Sequence, residues 1–343
     1  MNTDSLNTER QRLANQHAGS ENWRLWGPYL AERAWGSVRE DYSEDGNAWS
    51  YLGHDRARSQ AYRWNEDGLG GICDEQQRLC LALALWNERD PILKERAFGL
   101  TGEQGNRGED VKEYYFYRDA TPSHSWLRYV YKYPQAAYPY ELLAQENARR
   151  DRLDPPFNLL DTGVFAQSRY WDVEVFYAKA SPTEIHCHIH VHNRGPEEAD
   201  IHLLPTLWFR NTWTWGGERP LLDSMNAPAG AAWAVSARHP TLGDYALYGA
   251  YPCELLFTEN ESNAERLWGT TNPQPYVKDA FHRRLIDNEL AAVNPARSGT
   301  KFAAWSQHRI APGHAVRVDL VLSALALQKP FARQATLFSS RQS

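Results

Sequence analysis

The sequence has few of the features that mark several large classes of protein. It contains four cysteines among 343 residues and no C-x-x-C pair, which argues against a structural zinc site and a disulfide framework. Its longest apolar runs, at 79–86 and 321–327, are far shorter than the roughly 20 residues that cross a bilayer. The polar start of the chain is not a secretory signal. These features predict a cytoplasmic protein without a membrane partner.

Basic charge and cofactor motifs are scarce as well. The formal net charge is -6, whereas proteins that bind nucleic acid usually carry a basic excess or stripe. The glycine-rich segment 67–71 lacks both the G-x-G-x-x-G spacing and the Walker pattern. Neither a G-x-S-x-G elbow nor an H-E-x-x-H motif occurs. We therefore expect no nucleic-acid partner, no cofactor and no resident metal.

Aromatic residues are abundant: 14 Trp, 18 Tyr and 11 Phe. Such a content fits a large β core, and it also fits a surface that stacks on the apolar faces of sugar rings. Most of these residues are expected in the core.

Period-two alternation dominates the chain after residue 155. Apolar residues alternate with polar ones in 171–179, 184–192 and 314–322, which is the pattern of a strand with one buried face. Further strand candidates lie near 111–118, 201–209, 231–237, 244–249, 253–258 and 300–309. The fold class predicted is mainly β, an antiparallel β-sandwich with a few helices.

Helix signals are few. Asp74 and Gln77 precede an apolar run, as in a capping box, and predict a helix over 74–87. A second helix is predicted over 138–150. The domain organisation expected is a flexible tail (1–20), a loop- and helix-rich segment packed on the sandwich (21–104), the sandwich (105–327) and the start of a linker (328–343).

Four histidines, His186, His188, His190 and His192, alternate along one strand. Two imidazoles at that spacing can clamp a metal, with help from His202 on a neighbouring strand. No Asp, Glu or Cys of ligand spacing accompanies them in the sequence. An ordinary outward-facing strand is therefore the favoured interpretation.

Carboxylates are plentiful, at Asp67, Asp74, Asp161 and Asp279 among others. A glycosidase needs two with different roles, but abundance alone selects no pair. The stretch 207–216 is more informative, because three Trp, one Arg and one Asn stand at the end of a strand before a glycine turn. Two interpretations stay open: a polyol-binding surface, or a packing corner that docks another domain.

Several stretches together resemble the bacterial branch of glycoside hydrolase family 63, the mannosyl-oligosaccharide glucosidase-like proteins. The resemblance extends from about residue 20 to about residue 325, and its stretches are ERAWGSVREDYS (32–43), 57–87, 90–126, LLDTGVF (159–165), VFYAKASP (175–182), LLPTLWFRNTW (203–213) and VKDAFH (277–282).

The resemblance implies an N-terminal β-sandwich followed by an (α/α)₆ barrel that carries the catalytic acid and base of an inverting α-glycosidase. A barrel needs at least roughly 200 residues, and 328–343 cannot supply it. The expected function is thus the N-terminal part of an α-glycosidase, inactive alone, with no catalytic residue in this chain. Its expected partners are carbohydrate and its own or a separately encoded barrel.

The alternative is a non-catalytic carbohydrate-binding or structural module. Under either hypothesis, one face of the sandwich reaches the substrate or docks another domain. The residues expected on that face are Arg63, Trp64, Glu66, Asp67, Trp208, Arg210, Asn211, Trp213 and Trp215.

Overall fold

A computed structural model describes residues 3–29, 53–61, 67–100, 102–107 and 111–342. Fifteen strands within these ranges form two antiparallel sheets. The smaller sheet has the order β1-β2-β3-β8-β14-β12. Its strands are β1 (Trp26–Tyr29), β2 (Leu69–Asp74), β3 (Leu79–Trp86), β8 (Ala199–Phe209), β12 (Glu254–Thr258) and β14 (Lys301–Ile310).

The larger sheet has the order β13-β9-β10-β11-β15-β7-β6-β5-β4. Its strands are β4 (Tyr115–Ala120), β5 (Trp126–Pro134), β6 (Tyr170–Ser181), β7 (Glu184–Asn193), β9 (Leu221–Met225), β10 (Trp233–His239), β11 (Gly243–Gly249), β13 (Ser298–Gly299) and β15 (Ala315–Ser323).

Short helices lie outside the two sheets. The α-helices of the described residues are α1 (Thr3–His17), α2 (His54–Ala57), α3 (Tyr140–Ala148), α4 (Ala264–Trp268), α5 (Ala280–Leu285) and α6 (Gln334–Gln342). Single 3₁₀ turns occur at Trp23–Leu25, Leu159–Thr162, Ala166–Ser168, Trp213–Trp215 and Leu290–Ala292. None of the helices in the described ranges has the length and apolar character needed to span a membrane.

The main core lies between the two sheets, because each strand turns alternate residues inward. In β7 the inward residues are Ile185, Cys187, Ile189 and Val191, all buried in the shared cluster. They meet inward residues of the smaller sheet, such as Leu203 and Leu207 of β8. The predicted antiparallel β-sandwich with few helices is confirmed.

The helix predicted over 74–87 is wrong, since this segment forms the hairpin β2–β3. The Asp74 carboxylate does accept backbone N–H groups, but they belong to Gln76, Arg78 and Leu79 in the hairpin turn. Both faces of β3 are buried, so its sequence is apolar throughout and shows no alternation. Such a run cannot be distinguished from a buried helix by periodicity. The helix predicted over 138–150 is confirmed as α3.

Helices occupy both ends of the chain, where the sequence predicted a tail and a linker. On α1, the Glu9 carboxylate accepts hydrogen bonds from the Ser123 amide and hydroxyl, at 2.7 and 2.8 Å. On α6, the Phe338 ring stacks on His188 of the larger sheet, with ring centroids 3.5 Å apart. Neither helix has a strong amphipathic pattern in sequence, and these tertiary contacts give the reason for their positions.

Candidate functional site

A polar cleft of about 850 Å³ opens over the outer face of the smaller sheet. Helix α5 lies on that face, because Phe281 and Leu285 pack on outward residues of the strands, including Leu204 and Ala303. The cleft is formed by α4, the loop that follows it and the polar side of α5. Its lining consists of Arg58, Asn263, Glu265, Arg266, Thr271, Asn272, Pro273, Gln274, Pro275, Asp279, His282, Arg283, Asp287 and Glu289.

Asn263 links the two helices that line the cleft. Its side-chain oxygen caps α4 by accepting from the Arg266 amide at 3.1 Å. Its side-chain nitrogen donates to the Asp279 carboxylate at 3.0 Å, and Asp279 directly precedes α5. Asn272 donates to the same Asn263 oxygen at 3.1 Å. The amides of the cleft are therefore held in place before any ligand arrives.

The opposite wall of the cleft is fixed by hydrogen bonds to the segment around α2. Ser59 donates to Asp279 at 2.5 Å and accepts from Arg266 at 2.9 Å. The Arg266 guanidinium also pairs with Asp55 at 2.7 Å. Segments more than 200 residues apart in the chain thus share one hydrogen-bond network.

His282 is buried at the edge of the cleft on α5. Burial, with the nearby Arg58 and Arg266, lowers the pKa of His282 to about 3. The imidazole is neutral at pH 7, and its Nε2 accepts from Arg58 at 2.8 Å. His282 therefore adds no charge to the cleft, whose lining has three guanidinium groups and four carboxylates and so a formal net charge of -1.

Beneath the cleft lies a cluster of buried charges. Asp67 pairs with Arg96 and, at 3.0 Å, with Lys278, the residue before Asp279. These cations outweigh the effect of burial and hold the pKa of Asp67 well below its usual range. Glu95 pairs with Lys301 of β14 at 3.1 Å. Buried charges are costly unless they are paired, and this cluster meets that requirement.

Two residues predicted from the 207–216 stretch lie in an adjoining network. Asn211 is buried and donates to the Asn260 carbonyl at 2.7 Å. The Trp213 indole donates to Glu261 at 2.7 Å. Gln274, which lines the cleft, donates to the same Glu261 carboxylate at 2.6 Å. The structure thus connects this stretch to the cleft through Glu261.

The other predicted residues that the structure describes, Asp67, Trp208, Arg210 and Trp215, do not line the cleft. Trp208 is 1% exposed and packs with Ala82 and Cys80, so its ring is not available to a ligand. Arg210 is half-buried, and Trp215 is 56% exposed. Arg63, Trp64 and Glu66 lie outside the described residues. Asp67 belongs to the buried charge cluster and not to a surface.

Most cleft residues were not singled out from the sequence, although Asp279 stood among the plentiful carboxylates. They come from loops and short helices without periodicity, so no pattern marks them. One signal was present: 259–289 contains a high density of Asn, Asp, Glu and Arg, which is unusual for a connection between two buried strands.

The histidine strand has two different environments on the outer face of the larger sheet. His186 is buried and pairs with Glu184 at 2.9 Å, and His188 lies beneath Phe338. His190 and His192 are half-buried, and Glu174 of β6 joins them. Burial is the main cause that lowers the pKa of His190.

No family model matches the chain. Among curated proteins, it is similar to the uncharacterized protein YMR196W of Saccharomyces cerevisiae, with 40% identity over 347 residues. The match covers 90% of this chain and 32% of the yeast protein. The chain therefore spans about a third of the length of the curated relative it matches.

Two solved structures show weak similarity. One, from Escherichia coli K12, is described provisionally as an aldose 1-epimerase; it has 10% identity and a TM-score of 0.29, over 67% of this chain and 84% of that one. The other is a galactose mutarotase related enzyme from Lactobacillus acidophilus, with 7% identity and a TM-score of 0.27, over 71% and 87%. Scores of this size transfer neither a fold nor an activity.

The resemblance to glycoside hydrolase family 63 is wrong on these findings. No family model matches the chain, and the curated relative that it matches is an uncharacterized protein. The stretches that suggested the family contain no catalytic signature, so they give no evidence of an activity. The barrel, its acid and base, and the truncated glucosidase rested on that resemblance alone and have no support from these comparisons.

Proposed function

We propose that this region binds carbohydrate in the cleft on the outer face of the smaller sheet. The observation that carries the proposal is the composition of the lining: amide, guanidinium and carboxylate groups whose opposite charges nearly cancel. Such a lining favours a neutral polar ligand over a multiply charged one. A cavity of about 850 Å³ is in the size range of small-molecule sites.

Sugar hydroxyls both donate and accept hydrogen bonds, and the cleft offers both functions. Amides supply a donor and an acceptor each, carboxylates accept, and guanidinium groups donate in pairs. The internal hydrogen bonds of Asn263, Asn272 and Asp279 hold these groups in position. Pre-positioned groups lose less conformational entropy when a ligand binds.

An exposed aromatic ring lies on helix α4, which helps to line the cleft. Trp268 ends this helix three residues after the cleft residue Glu265, on the same helix face, and is 54% exposed. An exposed aromatic ring next to hydrogen-bonding side chains suits a pyranose, which has apolar faces and a polar rim. The proposal concerns binding, and it rests on this cleft rather than on the weakly similar sugar enzymes.

Isothermal titration of the chain with a panel of neutral gluco- and manno-oligosaccharides tests the proposal. We expect at least one saccharide to bind. We expect Asn272→Ala and Trp268→Ala to weaken that binding about tenfold, since a lost hydrogen bond or stacking contact costs on the order of 1–2 kcal/mol.

Phe116→Ala is the matched control, because Phe116 is an exposed aromatic residue of β4 on the larger sheet. Its replacement is expected to leave the affinity unchanged. Absence of binding across the panel, or equal loss in the Phe116 and Trp268 variants, would overturn the proposal.

A further inference from the structure

A second group of side chains on the molecule has the composition of a metal site. It lies on the outer face of the larger sheet, away from the cleft. Glu174 of β6 and His190 and His192 of β7 each offer one ligand atom, and these atoms lie within 4.8 Å of one another. The described residues thus contain one group of three side chains whose ligand atoms lie this close together.

Strand geometry explains why the three side chains converge. His190 and His192 are alternate residues of β7, so they project from the same face, and their ring centroids are 6.3 Å apart. Glu174 is the direct antiparallel partner of His190, and its side chain rises beside that ring. The sequence argument against a metal was the lack of a carboxylate near the histidines, and the β6–β7 pairing supplies one.

His190 also has an unused ligand atom. Its Nε2 is buried and has no hydrogen-bond partner, while one side of its ring packs on Phe176 at 5.3 Å between centroids. A buried imidazole nitrogen without a partner is uncommon, because buried polar atoms usually have one. A bound metal ion would satisfy this nitrogen.

We propose that Glu174, His190 and His192 bind one divalent transition-metal ion of the zinc class, with water completing the coordination. Two imidazoles and one carboxylate are a known ligand set for zinc with an open position. Tetrahedral coordination at 2.0–2.1 Å separates ligand atoms by roughly 3.3 Å. Small side-chain rotations of the half-buried residues bring the three atoms to that spacing.

Positive groups surround the site and limit its affinity. Arg128 pairs with Glu174 at 2.6 Å, and Arg317 of β15 stands opposite His190 and bonds to Asp319. Opposite His192, Asp172 is engaged by Lys132 and Arg194. A bound metal ion must displace the Arg128 guanidinium from the Glu174 carboxylate. It is partly exposed, and such surface pairs contribute little net stability.

Isothermal titration of tag-free protein with zinc chloride tests the inference, and the visible absorption of bound Co²⁺ reports the ligand geometry. We expect one site. His190→Ala and His192→Ala should each weaken zinc binding at least about tenfold, and Glu174→Gln should also weaken zinc binding. Arg128→Ala should strengthen binding, because it frees Glu174 and removes a positive charge.

His314→Ala is the control, since His314 is an exposed histidine in the turn before β15, and its loss should not change zinc affinity. Far-UV circular dichroism verifies that each variant is folded. No zinc binding, or binding that is unchanged in both the His190 and the His192 variants, would overturn the inference. Loss of binding in His314→Ala alone would do so as well.

Discussion

The outer faces of the two sheets differ in how deeply their charged side chains are buried. On the smaller sheet, helices and loops cover the face, and the ion pairs of Asp67, Arg96 and Lys278 lie buried beneath them. On the larger sheet, the Arg238–Asp223 pair lies at the surface, and the Lys132–Asp172 pair is only partly buried. Both sheets obey the same inward and outward alternation, so alternation alone does not determine the environment of the outward residues.

The difference supports the proposed binding surface on the smaller sheet. Covering a sheet face with charged loops requires each buried charge to find a partner, and unpaired ones are strongly destabilising. Such a network is costly to build for stability alone, because apolar packing would serve equally well. The buried network does fix the positions of the polar groups above it, and those groups line the cleft.

The largest expected effect is on the buried charge cluster. Asp67→Ala removes the carboxylate that Arg96 and Lys278 share and leaves an excess of buried positive charge, and we expect a loss of about 3–5 kcal/mol in the free energy of unfolding. Arg238→Ala, which breaks an exposed pair of the larger sheet, should cost less than about 1 kcal/mol. Urea denaturation measures both. Similar losses of unfolding free energy in the two variants would contradict the difference in charge burial between the two faces.

A smaller effect is expected from a pair of glycines. Both Gly68 and Gly243 have positive φ, at 97° and 87°. A Cβ on Gly68 would lie 2.4 Å from the Ala82 Cβ and 2.9 Å from the Trp208 ring, whereas a Cβ on Gly243 would meet nothing within 4 Å. Gly68→Ala should therefore cost about 2–4 kcal/mol, and Gly243→Ala about 1–2 kcal/mol.

Thermal or urea unfolding of these two alanine variants checks the packing of the outer face. If Gly68→Ala were no more destabilising than Gly243→Ala, the close approach of this loop to Trp208 and the smaller sheet would be contradicted.

The smallest effect, counted per pH unit, is on the pH dependence of stability. The folded pKa of His282 is about 3, against about 6.5 in the unfolded chain. Between these values the unfolded state binds a proton that the folded state does not. Stability from this group is therefore present above pH 6.5 and falls as the pH drops, by at most about 1.4 kcal/mol per pH unit.

His282→Gln should make the acid-induced loss of stability less steep between pH 6 and pH 4 than in the unchanged chain, as measured by urea denaturation at each pH. His314→Gln, at an exposed turn by the larger sheet, should keep the original slope. A slope unchanged by His282→Gln would contradict a buried neutral imidazole at the cleft.

Sequence patterning predicted strands in both sheets; it missed β1, β2 and β3 of the smaller sheet and β5, β9 and β13 of the larger one. Strands such as β6, β7 and β15 have one polar face, so their alternation shows in the sequence. The hairpin β2–β3 was missed because loops and helices bury its second face as well. The information that makes it a hairpin lies in the distant segments that cover it.

The cleft was hard to predict for a related reason. Its walls come from segments around 55–59 and 263–289, which are distant in sequence and meet in the tertiary structure. Asn211 and Trp213 were identified from the composition of the 207–216 stretch. Their hydrogen bonds, to the Asn260 carbonyl and to Glu261, depend on tertiary structure. Glu174 likewise reaches His190 only through strand pairing.

The central claim is that the outer face of the smaller sheet binds carbohydrate. Hydrogen–deuterium exchange with and without millimolar concentrations of each gluco- or manno-oligosaccharide tests it most directly. We predict slower exchange in 263–275 and 279–289 with at least one saccharide, and no change in β6, β7 or β15. Protection confined to the larger sheet, or no protection with any saccharide, would contradict the claim.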